Sequence, residues 1–388
     1  MSISSRDALG GRAAIAGIGA TEFSKDSGRS ELKLAVEAVH TALVDAGLSP
    51  ADVDGLVTFT MDTSPEITVA QAAGIGELSF FSRIHYGGGA ACATVQQAAL
   101  AVAAGVAEVV VCYRAFNERS GRRFGSGVQH REPSAEGAAL GWNLPFGLLT
   151  PGSWVAMTAQ RYLHTYGLTP EAFGHVAVTD RRHAANNPAA YFYEKPITLA
   201  DHADSRWIAE PLRLLDCCQE TDGGQAIVVT SAERARDLPQ PPAVIVAAAQ
   251  GAARAQEQMT SFYRDDLTGL PETGVVARQL WQTSGLAPGD MDVGIIYDHF
   301  TPFVLMQLEE FGFCKPGEAA EFVAADVLPL NTHGGQLGEA YLHGMNGIAE
   351  AVRQLRGTSV NQIPGAARTL VTAGTGVPTS GLILGADG

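Results

Sequence analysis

Residues Asn331–Gly347 read NTHGGQLGEAYLHGMNG, the most informative segment of this chain. Two adjacent glycines are followed by a short polar spacer, and then by Tyr341 and His343 at the start of a helical pattern. Glycine-rich turns before a helix let backbone N–H groups and side chains meet a ligand at close range. The segment therefore predicts a loop that presents Tyr341 and His343 to a ligand.

The chain also contains an internal repeat. Residues 47–54, GLSPADVD, match residues 285–292, GLAPGDMD, at an offset of 238 residues. In each copy a helical pattern precedes the match and an apolar strand pattern follows it. The glycine runs Gly87–Gly89 and Gly334–Gly335 each lead into a helix and then a strand. A repeat of about half the chain predicts two similar α/β halves, each with a mostly parallel sheet covered by helices.

Composition shifts give the expected boundaries of these halves. We expect an N-terminal half over residues 1–238 and a C-terminal half over 239–388, because a polar, proline-rich junction lies at 232–242. An irregular insertion, rich in glycine, arginine and aromatic residues, is expected in the first half at about 114–210. Periodicity and terminal signals predict individual helices at Glu31–Ala46, Val155–Tyr166 and Asp180–Ala190.

Length and charge restrict the class of protein. With 388 residues, 46% hydrophobic and 17% charged, the chain can build two domains with their own cores. A formal net charge of −15 argues against nucleic acid as the main partner. No apolar run approaches the roughly 20 residues that a membrane span needs. The first residues lack a secretory apolar core. We therefore expect a soluble, cytoplasmic protein that is not bound to a membrane.

Cysteine and glycine spacing argue against a metal or a dinucleotide on this chain. The cysteines are odd in number and have no zinc-like spacing, so we expect reduced, mostly buried thiols and no metal site. The glycines within Ala14–Ala20 lack the third glycine of a dinucleotide fingerprint. The five cysteines are Cys92, Cys112, Cys217, Cys218 and Cys314.

A local basic cluster at 114–131 stands out from the acidic composition. It is either a solvated loop or a contact for an anionic ligand or a partner chain. Its members are Arg114, Arg119, Arg122, Arg123 and Arg131.

Five segments together resemble the thiolase superfamily over nearly the full chain, especially its sterol-carrier-protein type. Their order matches that of the family, which favours the fold more strongly than any one segment does. The resemblance implies an α/β thiolase fold: two duplicated halves, their sheets stacked in an αβαβα arrangement, with a loop insertion in the first half. The segments are YGLTPEAFGHVAVTDRRHAANNP (166–188), PLRLLDCCQETDGGQAIVV (211–229), GIIYDHFTPFVLMQLEEFGFC (294–314), LNTHGGQLGEAYLHG (330–344) and VTAGTGVPTSG (371–381).

A shared fold does not settle the chemistry, so each reactive position must be compared. Thiolases carry a nucleophilic cysteine at the start of the glycine-preceded helix of the first half, where the helix N-terminus lowers the pKa of the thiol. Counting back from residues 105–108 places this position near Gly88. Cys92 could occupy it only if the helix were one turn shorter, so packing is the favoured role of Cys92. At the second cysteine position this chain has Thr372.

Two tyrosines replace histidines of the thiolase pattern. Tyr341 stands where the glycine loop of thiolases carries histidine, and Tyr297 stands where sterol-carrier-type thiolases carry a histidine before an aspartate. Phenols have an ordinary pKa near 10 and can donate or accept a proton. Without a placed thiolate, the pair suits retro-aldol cleavage, in which a β-hydroxyl loses its proton and a thioester enolate is stabilised and then protonated.

This pattern resembles the lipid-transfer-protein-type aldolases of bacterial steroid side-chain degradation. The resemblance implies a 17-hydroxy steroid CoA thioester as substrate, with a 17-ketosteroid and propionyl-CoA as products. It also implies a smaller acyl-CoA-binding partner built of a zinc ribbon and an OB-fold, a thiolase-type homodimer, and no cofactor beyond the CoA of the substrate. Tyr297 and Tyr341 would be the acid/base pair; which takes the hydroxyl proton stays open, with Tyr341 favoured.

Further residues are candidates for supporting roles. Asp298, His299 and His343 are either catalytic supports or buried polar groups with ordinary hydrogen bonds. His85 would point into the cleft. The N–H of Gly374 is the expected oxyanion donor. Gly376, Gly88 and Cys92 complete the predicted substrate-binding set, and the apolar part of the insertion, residues 141–154, suits either a steroid wall or a subunit contact.

Two other functions compete with aldol cleavage. One is a CoA-dependent thiolase, an acyltransferase that uses Cys92 as nucleophile. The other is a non-catalytic acyl-CoA or sterol carrier that kept the fold and lost its chemistry. A thiolase needs both cysteines and the histidine, which this chain lacks, whereas a decayed carrier has no need of tyrosines at both paired positions.

Overall fold

The computed structural model describes residues 9–121, 123–126, 141–257 and 259–387. Its strands are β1 (Ala13–Ala20), β2 (Gly55–Phe59), β3 (Phe80–Ile84), β4 (Val109–Asn117), β5 (Trp207–Ala209), β6 (Leu212–Arg213), β7 (Asp222–Ser231), β8 (Ala243–Gly251), β9 (Val293–Ile295), β10 (Arg368–Thr372) and β11 (Thr379–Ala386). Its helices are α1 (Glu31–Ala46), α2 (Glu66–Ala73), α3 (Ala91–Ala103), α4 (Pro151–Tyr166), α5 (Glu171–Asn186), α6 (Leu199–Asp204), α7 (Ala232–Arg236), α8 (Pro271–Ser284), α9 (Thr301–Glu310), α10 (Ala319–Ala324), α11 (Gly335–Gly338) and α12 (Met345–Arg356).

The order of the main sheet reveals the duplication. It runs β3-β2-β4-β7-β1-β8-β11-β10-β9. In the first half β7 is antiparallel to both of its neighbours, while β2 is parallel to β3 and β4. In the second half β11 is antiparallel to both of its neighbours, and β9 is parallel to β10. Each half therefore has one reversed strand, and its other strands share one direction, as the repeat predicted.

Two residue pairs join the sheets of the two halves edge to edge, so that their strands form one continuous order. Ala14 pairs with Val244 and Ile15 with Ala243, so β1 and β8 are antiparallel neighbours. Helices α3 and α12 each contact strands of both halves and form the middle layer. Helix α1 covers β1, β4 and β7 on one outer face, and α8 covers β8 and β11 on the opposite outer face. The layers are thus αβαβα.

The insertion lies between β4 and β7. Because β4 continues to Asn117, the expected start at residue 114 falls inside a strand, and the segment extends past the expected end at 210 to Thr221. Helix α5 of this segment packs against α9, α10 and α11, so the insertion covers the glycine loop of the second half. The predicted division at 238/239 falls between α7 and β8.

Local signals account for the helix ends. Helix α1 has the predicted bounds because Ser30 caps its N-terminus and Gly47, in the left-handed region, ends it. The predicted helix at Asp180–Ala190 was wrong in its bounds. Helix α5 begins at Glu171 and ends at Asn186, just before Asn187-Pro188. Across the described ranges no helix has the length and apolar character needed to cross a membrane.

Candidate active site

A cavity of about 1210 Å³ opens where the two halves and the insertion meet. This is larger than the roughly 300–1,000 Å³ of ordinary ligand pockets. Its lining includes Gly87–Gly89, the turn Thr375–Pro378 that packs against Gly89, and the side chains of Tyr297, Tyr341 and His343. The insertion supplies an apolar wall made of Leu149, Pro151, Trp154, Ile197, Ile208, Leu214 and Leu215.

The two predicted tyrosines meet in this cavity. Their hydroxyl oxygens are 3.3 Å apart, close enough for one phenol to donate to the other. Tyr297 follows β9, and its backbone N–H donates to the hydroxyl of Thr372. Tyr341 follows α11, and its backbone N–H donates to the hydroxyl of Thr221. Thr372, which stands at the second cysteine position of thiolases, therefore anchors one of the tyrosines.

Three glycines make room for the Tyr297 ring. A Cβ added at Gly88 would overlap the Tyr297 hydroxyl oxygen. A Cβ at Gly374 would lie 2.5 Å from Cε1 of the same ring, and one at Gly344 would lie 3.0 Å from Cδ2. The position where thiolases carry their nucleophile is thus filled by a phenol that comes from the other half of the chain.

Burial controls the protonation of both phenols. It raises the pKa of Tyr297 well above 10 and, together with the neighbouring Tyr297, raises the pKa of Tyr341 as well. Both side chains are therefore neutral at neutral pH. A pair of neutral phenols can pass a proton along, because one oxygen accepts a proton as the other releases its own.

His343 is held beside the pair as a neutral ring. It stacks on Phe116 at 5.2 Å between ring centroids, and its Nδ1 accepts a hydrogen bond of 3.0 Å from Nε of Arg114. Arg114 in turn forms a buried ion pair with Asp62. Burial and the Arg114 charge hold the pKa of His343 well below its ordinary value. His343 therefore lines the cavity as a hydrogen-bonding group and not as a cation.

The position of Arg114 corrects the interpretation of the basic cluster. Arg114 lies within β4 and is 1% exposed, so it belongs neither to a solvated loop nor to an anion contact. Arg123 lines the cavity and pairs with Glu220 at 2.6 Å. Arg122 and Arg131 lie outside the described residues.

His299 and Asp298 take different roles. His299 lines the cavity, its ring lies 4.9 Å from that of Tyr297, and its Nδ1 has no hydrogen-bond partner in the described part of the chain. Burial lowers the pKa of His299 to about 3, so the ring is neutral. Asp298 lies outside the cavity wall, because its carboxylate accepts the N–H groups of Gln336 and Leu337 at the start of α11. These bonds favour the alternative in which Asp298 is a buried polar group with ordinary hydrogen bonds.

The geometry also revises the predicted oxyanion and thiol groups. The N–H of Gly374 donates to the carbonyl of Gly88 at 3.2 Å, so the expected oxyanion donor is already engaged. Cys92 is fully buried outside the cavity wall with Sγ 3.7 Å from the carbonyl of Val371, and burial raises the pKa of its thiol. The thiolase alternative thus loses its nucleophile.

Gly376 and His85 stand at the edge of the cavity. The carbonyl of Gly376 accepts a hydrogen bond from the Gln256 amide and lines the cavity. His85 lines it from an exposed position.

Sequence reasoning missed three charged residues of the cavity wall. Glu118 is 2% exposed, one of its carboxylate oxygens has no partner among the described residues, and burial with Glu220 nearby raises its pKa well above the ordinary value. Burial lowers the pKa of Lys25 to about 8, and its ammonium donates to the Glu220 carbonyl at 2.6 Å. Arg181 is the third. No motif marks these residues, because their burial arises from contacts that are distant in sequence.

Among the described residues, no group of three or more His, Cys, Asp or Glu side chains is arranged to hold a metal ion.

Comparison with known proteins defines the class. Residues 13–233 match the thiolase N-terminal domain family, and residues 253–385 match the thiolase C-terminal domain-like family. The chain belongs to the thiolase superfamily.

Three relatives narrow this class. A steroid side-chain-cleaving aldolase from Thermomonospora curvata is 68% identical over 98% of this chain and 99% of that protein. A 17-hydroxy-3-oxo-4-pregnene-20-carboxyl-CoA lyase from Mycobacterium tuberculosis is 68% identical over 97% of this chain and 100% of that protein. The solved structure of an Ltp2-ChsH2(DUF35) aldolase has 67% identity and a TM-score of 0.94, and covers 98% of this chain and 99% of that one. The chain is accordingly an aldolase of the thiolase superfamily.

Proposed function

We propose that this protein cleaves the side chain of a 17-hydroxy steroid CoA thioester by a retro-aldol reaction and releases a 17-ketosteroid and propionyl-CoA. The observation that carries the proposal is the pair of phenols, Tyr297 and Tyr341, whose oxygens lie 3.3 Å apart in the wall of a large cavity. The residues at the thiolase cysteine positions, Gly88 and Thr372, offer no thiol for acyl transfer.

The atoms and electrons of this reaction balance with one proton transfer and no further reactant. The C17 hydroxyl loses its proton, the bond from C17 to the α-carbon breaks, and its electron pair enters the thioester enolate. Protonation of the α-carbon completes propionyl-CoA. One proton moves from oxygen to carbon, so neither an oxidant nor free CoA is consumed. No cofactor on this chain is required for this step.

The tyrosine pair acts as the proton relay. One phenol oxygen accepts the hydroxyl proton while the pair delivers a proton to the enolate carbon, so no charged phenolate persists in the buried site. This relay suits groups whose pKa values burial raises, since a free phenolate would be costly there. His299 and His343 border the pair as neutral rings that orient the phenols and the substrate.

The walls of the cavity suit a ligand that joins an apolar ring system to the charged phosphates of CoA. Trp154, Leu214 and Leu215 offer a surface for a fused ring system. Arg123 and Arg206 line the same cavity from exposed positions, where they suit the phosphates of CoA. Trp154 lines the cavity, which supports the role of the insertion as a steroid wall, and the 81% exposure of Phe146 leaves that side chain available for a subunit contact.

Partners complete the proposal. We assign this chain to a homodimer that binds a smaller acyl-CoA-binding protein with a zinc ribbon and an OB-fold, in the cytoplasm, where CoA thioesters are metabolised. The name of the related Ltp2-ChsH2(DUF35) aldolase supports a second component. Exposed Trp142 and Phe146 offer apolar surface for such contacts.

Cleavage in the absence of CoA tests the reaction. The protein, together with its partner, should convert the thioester to the ketosteroid and propionyl-CoA without added CoA, as measured by mass spectrometry of both products. A strict requirement for added CoA would replace aldol cleavage by thiolysis. Binding of the thioester without turnover would favour the carrier function.

Substitution of the phenols tests the site. Tyr297→Phe and Tyr341→Phe should each lower kcat by roughly 10²–10⁴, the usual range for a general acid–base group. Tyr263→Phe, at a side chain that is 68% exposed, is the matched control and should retain the wild-type kcat. Unchanged rates in both site variants would remove the proposed roles.

A further inference from the structure

Arg181 is a buried cation with no carboxylate partner among the described residues. It lies on α5, lines the cavity and is 8% exposed. Its Nη1 donates to the carbonyl of Lys195 at a long 3.4 Å, and its Nε has no hydrogen-bond partner in the described chain. The guanidinium stacks over the ring of Phe192, 3.6 Å from the centroid. Burial alone lowers the pKa of Arg181 to about 10, with no compensating negative charge.

Three other arginines with little-exposed side chains each pair with a carboxylate. Arg114 pairs with Asp62, Arg264 with Glu272 at 2.7 Å, and Arg356 with Asp45 at 2.8 Å. A buried charge is costly unless a partner compensates it. The exception at Arg181 therefore indicates that an acceptor arrives from outside the chain. The cavity that Arg181 borders is the route by which it can arrive.

The surroundings of Arg181 define the chemistry of that acceptor. Phe192 packs against the guanidinium, and Ala177, one turn earlier on α5, lines the same cavity, so the known neighbours of Arg181 in the cavity wall are apolar. A hydrated phosphate is better served by Arg123 and Arg206, which are exposed on the same cavity. Arg181 thus suits a single acceptor oxygen carried on an apolar body.

We propose that Arg181 binds a carbonyl oxygen on the steroid ring most remote from C17 and thereby selects 3-oxo substrates. This inference rests on the proposed function, which places the C17 hydroxyl at the tyrosine pair. Arg181 contacts Lys195 and Phe192 of the insertion, while Tyr297 and Tyr341 belong to the second half, and all three side chains line one cavity that a single ligand can span. The name of the Mycobacterium tuberculosis relative specifies a 3-oxo group together with the 17-hydroxyl, at opposite ends of the steroid.

Phe192 makes the guanidinium a positioned donor. Stacking fixes its plane, so the N–H groups at its edge point along fixed directions. A hydrogen bond from a charged donor to a carbonyl is typically stronger than a neutral one and discriminates by about 10- to 100-fold. A substrate without that carbonyl covers the guanidinium of Arg181 without accepting its hydrogen bond. Such a substrate therefore binds more weakly.

The test compares two thioesters that differ only at C3, one with the carbonyl and one with a methylene. Arg181→Met should lower kcat/KM for the 3-oxo substrate by about 10- to 100-fold, chiefly through KM, and change the 3-deoxy substrate by less than about twofold. The wild type should prefer the 3-oxo substrate. Arg182→Met, at the adjacent exposed residue that pairs with Asp326, should change neither substrate.

Each other outcome overturns the inference. Equal losses for both substrates assign Arg181 a purely structural role. A loss that is equal for both steroids but disappears with pantetheine thioesters, which lack the CoA phosphates, assigns Arg181 to a phosphate. If Arg181→Met does not fold, Arg181→Lys keeps the charge and should still reduce the preference for the 3-oxo substrate.

Binding measurements separate this inference from the proposed function. If the wild-type complex cleaves neither thioester, aldol cleavage is wrong. The ratio of the two Kd values, by titration calorimetry in wild type and Arg181→Met, then still decides the role of Arg181. A ratio of the two wild-type Kd values near one would overturn the inference that Arg181 selects 3-oxo substrates.

Discussion

Gly88 and Tyr297 show at the level of single residues why the site has no room for a thiol at position 88. Any side chain at position 88 would overlap the Tyr297 hydroxyl oxygen, so a cysteine there and the present ring position exclude each other. The phenol occupies the volume that a nucleophilic thiol would need. The change from acyl transfer to aldol cleavage therefore involves two coupled positions, one in each half of the chain.

Gly88→Ala is expected to disable the tyrosine pair. The new methyl group must push the Tyr297 ring away from Tyr341, and misplacement of a reacting group by about 1 Å can cost about 10²-fold in rate. We expect kcat to fall by about that factor, with the fold retained by circular dichroism. Gly76→Ala is the control, because nothing lies within 4 Å of an added Cβ there. Wild-type kcat in Gly88→Ala would contradict this coupling.

The residues of the site differ in how far sequence could predict them. Tyr297 and Tyr341 follow from the register of the glycine loop and of β9 against the thiolase pattern. Arg181 and Glu118 could not be found in this way. Each is an ordinary charged residue in a polar stretch, and only the packing of the insertion over the second half buries it. Both roles of Asp298 stayed open at the level of sequence, because proximity to Tyr297 does not reveal that its carboxylate faces α11.

At the scale of elements, buried carboxylates hold the glycine loop in place. Asp298 receives the backbone N–H groups at the start of α11, which is only four residues long. Glu339, just after α11, accepts hydrogen bonds from the side-chain amides of Asn187 and Asn346, at 3.1 and 2.8 Å. These bonds link the loop to α5 of the insertion and to α12. The position of Tyr341 thus depends on acidic groups that are not themselves in the cavity wall.

Glu339→Gln should stabilise the protein more at high pH than at low pH. Burial raises the pKa of Glu339 to about 7, so the folded protein holds this proton more tightly than the unfolded chain does. The contribution of Glu339 to stability is full below its unfolded pKa and is lost as pH rises through about 7. Glutamine keeps an acceptor oxygen but cannot ionise.

Thermal unfolding at about pH 5 and about pH 8 provides the measurement. The Tm of Glu339→Gln relative to wild type should be higher at the upper pH, by roughly 2 °C, the shift that about 1 kcal/mol gives in a large domain. Glu321→Gln, at an exposed position in the first turn of α10, should show no such change. A pH-independent difference for Glu339→Gln would mean that the carboxyl is not perturbed by burial.

The bounds of a helix could be predicted where its capping signals lie in the residues next to its ends. Helix α1 has its predicted bounds because an N-cap serine and a C-terminal glycine are written in the sequence. Helix α5 was misplaced because its N-terminal turn carries Pro170 at the cap position without a capping side chain, and because its buried face includes Asp180 and Arg181, which periodicity scores as polar. Tertiary contact with α11 decides its extent.

At the scale of the whole molecule, the duplication was visible in the repeat at residues 47–54 and 285–292, whereas the joining of the halves was not. Only two residue pairs connect β1 to β8, and small apolar residues such as Ala14 and Ala243 carry no signal that specifies a partner. The shared middle layer of α3 and α12 then places the glycine runs of both halves beside one cavity. The site is therefore a product of the whole fold.

The sheet ends at β3, and this edge is where a second copy of the chain is expected to dock. Edge strands offer unpaired backbone N–H and C=O groups to another chain. Phe81 on β3 is 67% exposed, which is unusual for a phenylalanine on an uncovered edge.

Phe81→Asp should therefore halve the mass seen by light scattering, because a buried unpaired charge opposes dimer formation. Val44→Asp, at a site 78% exposed on α1, should leave the dimer intact. A Phe81→Asp dimer as tight as the wild type would move the interface elsewhere, with Trp142 and Phe146 of the insertion the next surface to substitute.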